Sequence, residues 1–162
     1  MVVRRPTIQV PVGSLTLGSE HPVRVQSMTN TDSQDADATL AQIRLLQESG
    51  CELIRVTIPD EQSAANIPTW MAAMDVPFSA DIHFNHKMAL AAIAAGADKV
   101  RINPGNIGKE SKVREVLQAA RDKGTAMRIG VNSGALEKDL LNAAKKAKMP
   151  YMVGTMIEVP RA

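Results

Sequence analysis

Aromatic residues are scarce in this chain: two Phe, one Trp and one Tyr make up 2% of 162 residues. So small a set cannot build the stacking platforms on which single-stranded nucleic acid is held. Charge of one sign is equally short. Nineteen Lys and Arg face 17 Asp and Glu for a net +2, too little to set up a basic field for nucleic acid or anionic lipid. No nucleic-acid partner is expected. Cysteine occurs once, at Cys51, which excludes an intramolecular disulfide and, by itself, an iron–sulfur cluster or a structural zinc. This usage predicts a cytoplasmic protein. No apolar run nears the roughly 18 residues that cross a bilayer, and the opening MVVRRPTIQV turns polar too early for a signal-peptide core. Neither membrane insertion nor export is expected. What remains, 44% apolar and 22% charged residues, is the balance of a globular core of one-domain size.

The chain alternates. Short stretches rich in β-branched residues (VRVQSM, ELIRVTI, FSADIHF, DKVRIN and AMRIGV) are followed by segments with helical spacing. After the first, Asp35 or Asp37 can cap a helix with Leu40, Ile43 and Leu46 as its stripe and Gly50 as its stop. Met88, Leu90, Ile93 and Gly96 mark an alanine-rich segment apolar nearly all round, which predicts deep burial. Val113, Val116, Leu117 and Ala120, ended by Gly124, repeat the pattern. Pro68 is expected to interrupt or restart the helix after ELIRVTI. Ahead of these units, TIQVPVG and SLTLG predict a hairpin turning at Gly13 and Ser14.

Consecutive β-α units imply a parallel sheet with right-handed crossovers, either doubly wound or closed as a barrel. No GxGxxG opens the first unit and GNIGKES misses the P-loop spacing, so the nucleotide-binding open sheets are disfavoured. The reading is an α/β fold: an incomplete (β/α)8 TIM barrel of five to six β-α units with an N-terminal β-hairpin, since a complete barrel takes about 200–250 residues.

Buried parallel strands should be unbroken apolar runs, yet Arg55, Asp81, His83, Arg101 and Arg128 interrupt them. Barrel active sites form at the C-terminal strand ends. Three guanidinium groups there repel one another unless an anion joins them, and their forked donors match phosphate oxygens two at a time. Asn103, Asn106 and Asn132 follow the strands and offer neutral donors and acceptors, while Gly105, Gly108 and Gly130 allow backbone N–H groups to approach a ligand. Plainer roles exist for each. A strand arginine often pairs with a neighbouring acid, His83 can be a hydrogen-bonded structural residue, and Cys51 reads as a small buried residue. Met71, Met74 and Met88 read as core filling. Lys145, Lys146 and Lys148 read as a solvated helix end.

The same strand ends carry a family likeness. VQSMTNT (Val25–Thr31), ADIHF (Ala80–Phe84), RINPGNIG (Arg101–Gly108) and RIGVNSG (Arg128–Gly134), in this order and at these intervals, resemble the N-terminal barrel domain of the bacterial 4-hydroxy-3-methylbut-2-enyl diphosphate synthases. The resemblance implies reductive ring opening of 2-C-methyl-D-erythritol 2,4-cyclodiphosphate, late in the methylerythritol phosphate route to isoprenoids. It implies that Arg55, Arg101 and Arg128 hold the diphosphate, that Asp81, Asn103 and Asn132 contact the substrate's polar groups, and that His83 lines the same mouth. It also implies a [4Fe-4S] cluster held by three cysteines and a glutamate in a separate C-terminal domain, fed by flavodoxin or ferredoxin. With Cys51 alone, this chain is not expected to bind that cluster or to turn over by itself.

The likeness runs to about residue 141, so that 1–141 reads as a partial barrel domain for substrate binding. Residues 142–162 read as a tail of different origin, with the iron–sulfur domain absent. VGTMIEVPRA resembles the phosphoenolpyruvate-binding barrel of pyruvate phosphate dikinase, which implies a magnesium-ligating Glu158, although the second carboxylate of that site is missing from the sequence. YMVGTMIEV is expected to add a sixth strand after a helix near 136–147. Two other readings follow from the tail: a phosphoenolpyruvate- and magnesium-binding phosphotransferase fragment, or a ligand-free chimeric scaffold. An open barrel leaves strand edges and interior unprotected, so a homo-oligomer is expected.

Overall fold

The computed structural model describes residues 7–18 and 20–130. The chain divides into two compact units, Met1–Val131 and Asn132–Ala162. The expected sixth strand, the helix near 136–147 and the tail belong to the second and lie outside the described residues.

The first unit begins with the expected hairpin, β1 (Val10–Val12) antiparallel to β2 (Leu15–Leu17), turning at Gly13 and Ser14. Then come β3 (Gln26–Met28), α1 (Ala36–Glu48), β4 (Leu53–Thr57), α2 (Glu61–Ala72), β5 (Phe78–Asp81), α3 (His86–Ala94), β6 (Lys99–Ile102), α4 (Glu110–Lys123) and β7 (Ala126–Ile129). Local chemistry sets the helix starts. Asp35 accepts from Ala38 N at 2.9 Å, Asp60 from Ser63 N at 2.8 Å and Asn85 from Lys87 N at 3.0 Å, each satisfying an otherwise unpaired first-turn donor. Gly124, left-handed at φ +69°, closes α4 behind Arg121 and Lys123.

Two expectations are corrected. The α2 helix runs unbroken through Pro68. Proline removes one intrahelical bond and crowds the carbonyl four residues back, but Ile67 and Trp70 on either side are fully buried and Trp70 Nε1 donates to Ala36 O of α1 at 3.1 Å. Packing outweighs the local defect. In α4 the buried stripe is Val116 and Ala120, while Leu117 lies 43% exposed, because it falls one residue, about 100°, past the face that meets the sheet.

Strands β3 to β7 form one parallel sheet in sequence order, β3-β4-β5-β6-β7. A doubly wound sheet reverses order at its switch point; this one never does. Successive helices pack on one another, α1 on α2, α2 on α3 and α3 on α4, and all share one core with Ile54, Val56, Ile58, Phe78, Ala80, Ile82, Val100 and Ile102. That is the singly wound arrangement of a barrel wall, with helices on one face.

Parallel partners point the same way, so the register defines rows on the opposite face. One row holds Met28, Arg55, Ser79, Lys99 and Ala126, and the next, nearer the C-terminal ends, holds Thr57, Asp81, Arg101 and Arg128. This face is concave. Lys99 Nζ on β6 donates to Gln26 Oε1 on β3 at 2.7 Å, although a flat sheet would set these strands about 14 Å apart, three spacings of roughly 4.8 Å. Side chains standing off a flat sheet stay apart, and inward curl brings them together.

The hairpin closes the N-terminal end of this lumen, where Val12, Leu15 and Leu17 pack on Leu53 and Ala126. Its turn fits tightly. A Cβ on Gly13 (φ +54°) would lie 2.5 Å from Asp98 Oδ1, and Asp98 is held in place because its Oδ2 accepts from Phe78 N at 2.8 Å. Gly13→Ala is therefore expected to cost about 1–3 kcal/mol through strain at positive φ and the displaced carboxylate, measured as a lower melting temperature.

Candidate anion-binding site

The upper row centres on Asp81, which is completely buried. Arg55 Nη2 donates to its Oδ2 at 2.5 Å and Arg101 Nη1 to its Oδ1 at 3.3 Å, so each carboxylate oxygen takes one guanidinium. His83 Nε2 stands 3.8 Å from Oδ2. Two of the three expected arginines thus pair with an acid. Arg55 also lies one row below the strand end where it was expected, and its long side chain rises to Asp81, covering a row spacing of about 6–7 Å. Arg128 is the register partner of Arg101, is exposed, and has no acidic partner among the described residues.

Gly130 sets the course of Arg101. A Cβ there would sit 2.7 Å from Arg101 Nε and 2.9 Å from Nη2, so the guanidinium lies directly against the bare Cα. The expected role is corrected for two of the three glycines, Gly105 and Gly130. Gly130 N donates to Ile102 O at 2.9 Å and Gly105 N to Asn103 Oδ1 at 3.1 Å, so neither N–H is presented to a ligand. Asn103 is 1% exposed and turns its amide oxygen into its own loop, while its carbonyl accepts from Asn106 N at 2.9 Å. It shapes the RINPGNIG loop. Asn132 and Glu158 lie outside the described residues.

Sequence reasoning missed the lower row. Lys99 is 6% exposed and bonded to the neutral Gln26. Burial first, then the neighbouring Arg128 and Arg55 charges, push its pKa down from 10.5 to about 8. In the same row, Arg55 Nε and Ser79 Oγ are buried and have no hydrogen-bond partner among the described residues, a costly condition. The signal was present as a period of two, since Ser79 and Lys99 precede Asp81 and Arg101 by two residues and share their face. A cavity of about 640 Å³ opens beside Lys99 on the side of the hairpin, lined among others by Val10, Val12, Gln26, Leu53, Lys99 and Arg128, and Arg55, Ser79, Asp81 and Arg101 are not part of its lining.

Lys99 makes a pH prediction. Between pH about 8 and 10.5 the unfolded chain holds this proton and the folded chain does not, so wild-type stability rises with pH across that window. Lys99→Met is expected to be about 1–2 kcal/mol more stable than wild type at pH 7. Urea unfolding at pH 7 and 10.5 should show the gain shrinking toward zero.

No group of three or more metal-ligating side chains occurs among the described residues. Cys51 does not suit a cluster either: its buried sulfur receives Ser27 N at 3.2 Å and donates to Leu53 O at 3.1 Å, and the chain has no second thiol. No helix among the described residues is long and apolar enough to cross a membrane.

A profile of the GcpE TIM-barrel domain matches residues 7–161. The chain belongs to this family. The match runs through the tail as well as the barrel wall. Similar curated proteins, each named 4-hydroxy-3-methylbut-2-en-1-yl diphosphate synthase (flavodoxin), include that of Geobacillus thermodenitrificans, 51% identical over 141 residues (87% of this chain, 38% of that protein). That of Caulobacter vibrioides is 52% identical over 141 residues (87% and 37%), and that of Caldanaerobacter subterraneus 46% over 140 (86% and 39%). The chain therefore spans well under half the length of these relatives. Among solved structures, the dihydropteroate synthase of Xanthomonas albilineans superposes with a TM-score of 0.59 at 20% identity, covering 87% of this chain and 59% of that one. That of Yersinia pestis gives 0.59 at 17%, covering 86% and 54%. These two support the barrel fold alone.

Proposed function

We propose that this chain is the diphosphate-binding barrel part, residues 1–141, of a 4-hydroxy-3-methylbut-2-enyl diphosphate synthase, an oxidoreductase of isoprenoid biosynthesis. Its ligand is 2-C-methyl-D-erythritol 2,4-cyclodiphosphate. The observation that carries this reading is the charge of the lumen face. Arg55, Arg101, Arg128 and Lys99 share two rows with a single carboxylate, Asp81, which leaves a surplus of cations on one face of the barrel wall. A doubly charged small anion neutralises that surplus. Asp81 then holds Arg55 and Arg101 in place before the ligand arrives, and His83 borders the same mouth. Half-identical relatives named for this activity support the assignment.

Reduction in such an enzyme belongs to the [4Fe-4S] cluster, supplied with electrons by flavodoxin. This chain's residues do not fit the cluster, so its own part is to bind and orient the diphosphate. Self-association of the barrel part belongs to the same proposal. The phosphoenolpyruvate reading rests on Glu158, outside the described residues, and no observation favours it.

Calorimetric titration of the 162-residue chain decides the matter. The cyclic diphosphate is expected to bind, with phosphoenolpyruvate plus magnesium producing no comparable heat. The reverse order of affinities, or no heat with either ligand, overturns the proposal.

A further inference from the structure

The cavity on the hairpin side of Lys99 lies apart from Asp81 and the two arginines it holds. Its volume of about 640 Å³ falls within the range of about 300–1,000 Å³ usual for small-molecule sites. Its walls are of two kinds. Ile8, Val10, Val12, Leu17 and Leu53 supply apolar surface, and Ile8 and Val10 remain exposed, a condition that marks binding grooves when such residues adjoin one another. Gln26, Lys99 and Arg128 supply the polar part, with Arg128 one row above Lys99 on the adjoining strand. Among the described residues no carboxylate lines this cavity. Lys99 is buried, and its Nζ donates to the neutral Gln26 Oε1. A buried ammonium group is ordinarily matched by a negative charge, and an apolar chamber that holds one without a carboxylate beside it suits a ligand of complementary design.

We propose that this cavity binds a medium-chain aliphatic carboxylate, with the head on Lys99 and Arg128 and the chain against the hairpin. The two carboxylate oxygens accept from the two cations, one from each strand. Val10, Val12, Leu17 and Leu53 take the chain out of water. This site is separate from the diphosphate reading except that both draw on Arg128, so Lys99 is the residue that tells them apart.

The charged groups on the face around Lys99 are Arg55 from β4, Asp81 from β5, Arg101 on its own strand and Arg128 from β7, with Arg24 on the cavity wall paired to Glu52 at 2.7 Å. Burial first, then Arg128 and Arg55, bring the lysine down to a pKa of about 8. A carboxylate head against Lys99 favours the ammonium form. The bound lysine therefore keeps its proton to higher pH than the free one, and affinity is full below about pH 8 and declines above it.

Calorimetric titrations of the full 162-residue chain with octanoate, 1-octanol and acetate test this, all at concentrations where each ligand is monomeric. At pH 7 octanoate is expected to bind about tenfold or more tightly than octanol, and acetate, which has the head without the chain, should give no measurable heat. Lys99→Met should lose about tenfold or more of the octanoate affinity and keep its octanol affinity within about twofold. Raising the pH from 7 to 9.5 should weaken octanoate binding to wild type and leave that of Lys99→Met unchanged. Val10→Glu, which places a carboxylate at a half-exposed position of the apolar wall, should weaken octanoate binding as well, and circular dichroism checks that both variants are folded. Octanoate bound no better than octanol, equal octanoate affinity in Lys99→Met and wild type, or no binding of octanoate at all overturns the inference. Each of these results leaves the diphosphate reading to its own titration.

Discussion

An Asp81→Ala variant is expected to lose about 3–5 kcal/mol of folding stability, the largest effect of any single substitution at this site. The carboxylate is fully buried, and the Arg55 and Arg101 side chains that meet it are each only 19% exposed. Taking it away leaves two guanidinium groups in a confined space with no counter-charge, beside a Lys99 already destabilised by the same crowding. The loss is thus that of uncompensated cations and exceeds the value of either hydrogen bond alone. Asp81→Asn keeps one acceptor oxygen and the shape but not the charge, so its cost should fall below that of the alanine variant. Urea unfolding followed by circular dichroism measures both. A cost under about 1 kcal/mol for Asp81→Ala would mean that water screens the arginines, as at a surface pair, and that Asp81 does not hold them in place.

That dependence explains why one part of the site was legible in the sequence and another was not. Arg55, Asp81, His83 and Arg101 stand out because each breaks an apolar strand pattern, and the structure gathers the other three around the Asp81 carboxylate. Their partnership was less visible, because it depends on strand register: Arg55 starts a row lower and reaches up. Lys99 escaped notice for a related reason. It opens β6, where a lysine is ordinarily solvated, and its burial depends on curl that brings Gln26 across from three strands away. Nothing local to DKVRIN announces that contact.

The fold was read more fully than the site because it rests on local signals. The caps at Asp35 and Gly124, the turn at Gly13 and the order of the β-α units are matters of neighbouring residues. Where tertiary packing intervened, the local reading gave way. Pro68 stays inside a helix pinned by Ile67 and Trp70. The VRVQSM string pairs only over Gln26–Met28, with Val23 80% and Val25 57% exposed; Val25 O still accepts from Leu53 N at 3.2 Å, but Val25 N donates to Glu52 Oε2 at 2.9 Å. That bond, with Arg24 second, holds the Glu52 carboxyl below its usual range. Cys51 and the methionines are as plain as they looked: Cys51 is 5% and Met88 3% exposed within the main core, and Met71 and Met74 pack against it.

Arg128 offers the sharpest separation of binding from folding. Unlike Arg101 it has no ion pair among the described residues, and it is exposed, so its removal disturbs no internal balance. It even relieves Lys99 of one of the charges that depress its pKa. Arg128→Ala should therefore leave the melting temperature within about 1–2 °C of wild type, consistent with a surface change of under about 0.5 kcal/mol. Its affinity for the cyclic diphosphate should nevertheless fall by about 2–5 kcal/mol, thirtyfold or more, the cost of deleting one member of a charge-assisted phosphate contact. Raising salt from 0.05 to 0.5 M should weaken wild-type binding more than the residual binding of the variant, because the lost partner was a screened charge. Arg101→Ala, by contrast, should lose stability and affinity together, since its guanidinium belongs to Asp81 as well as to the ligand. If Arg128→Ala binds the diphosphate as wild type does, the anion rests on other groups, and the pairing of Arg101 with Arg128 across β6 and β7 has no part in holding it.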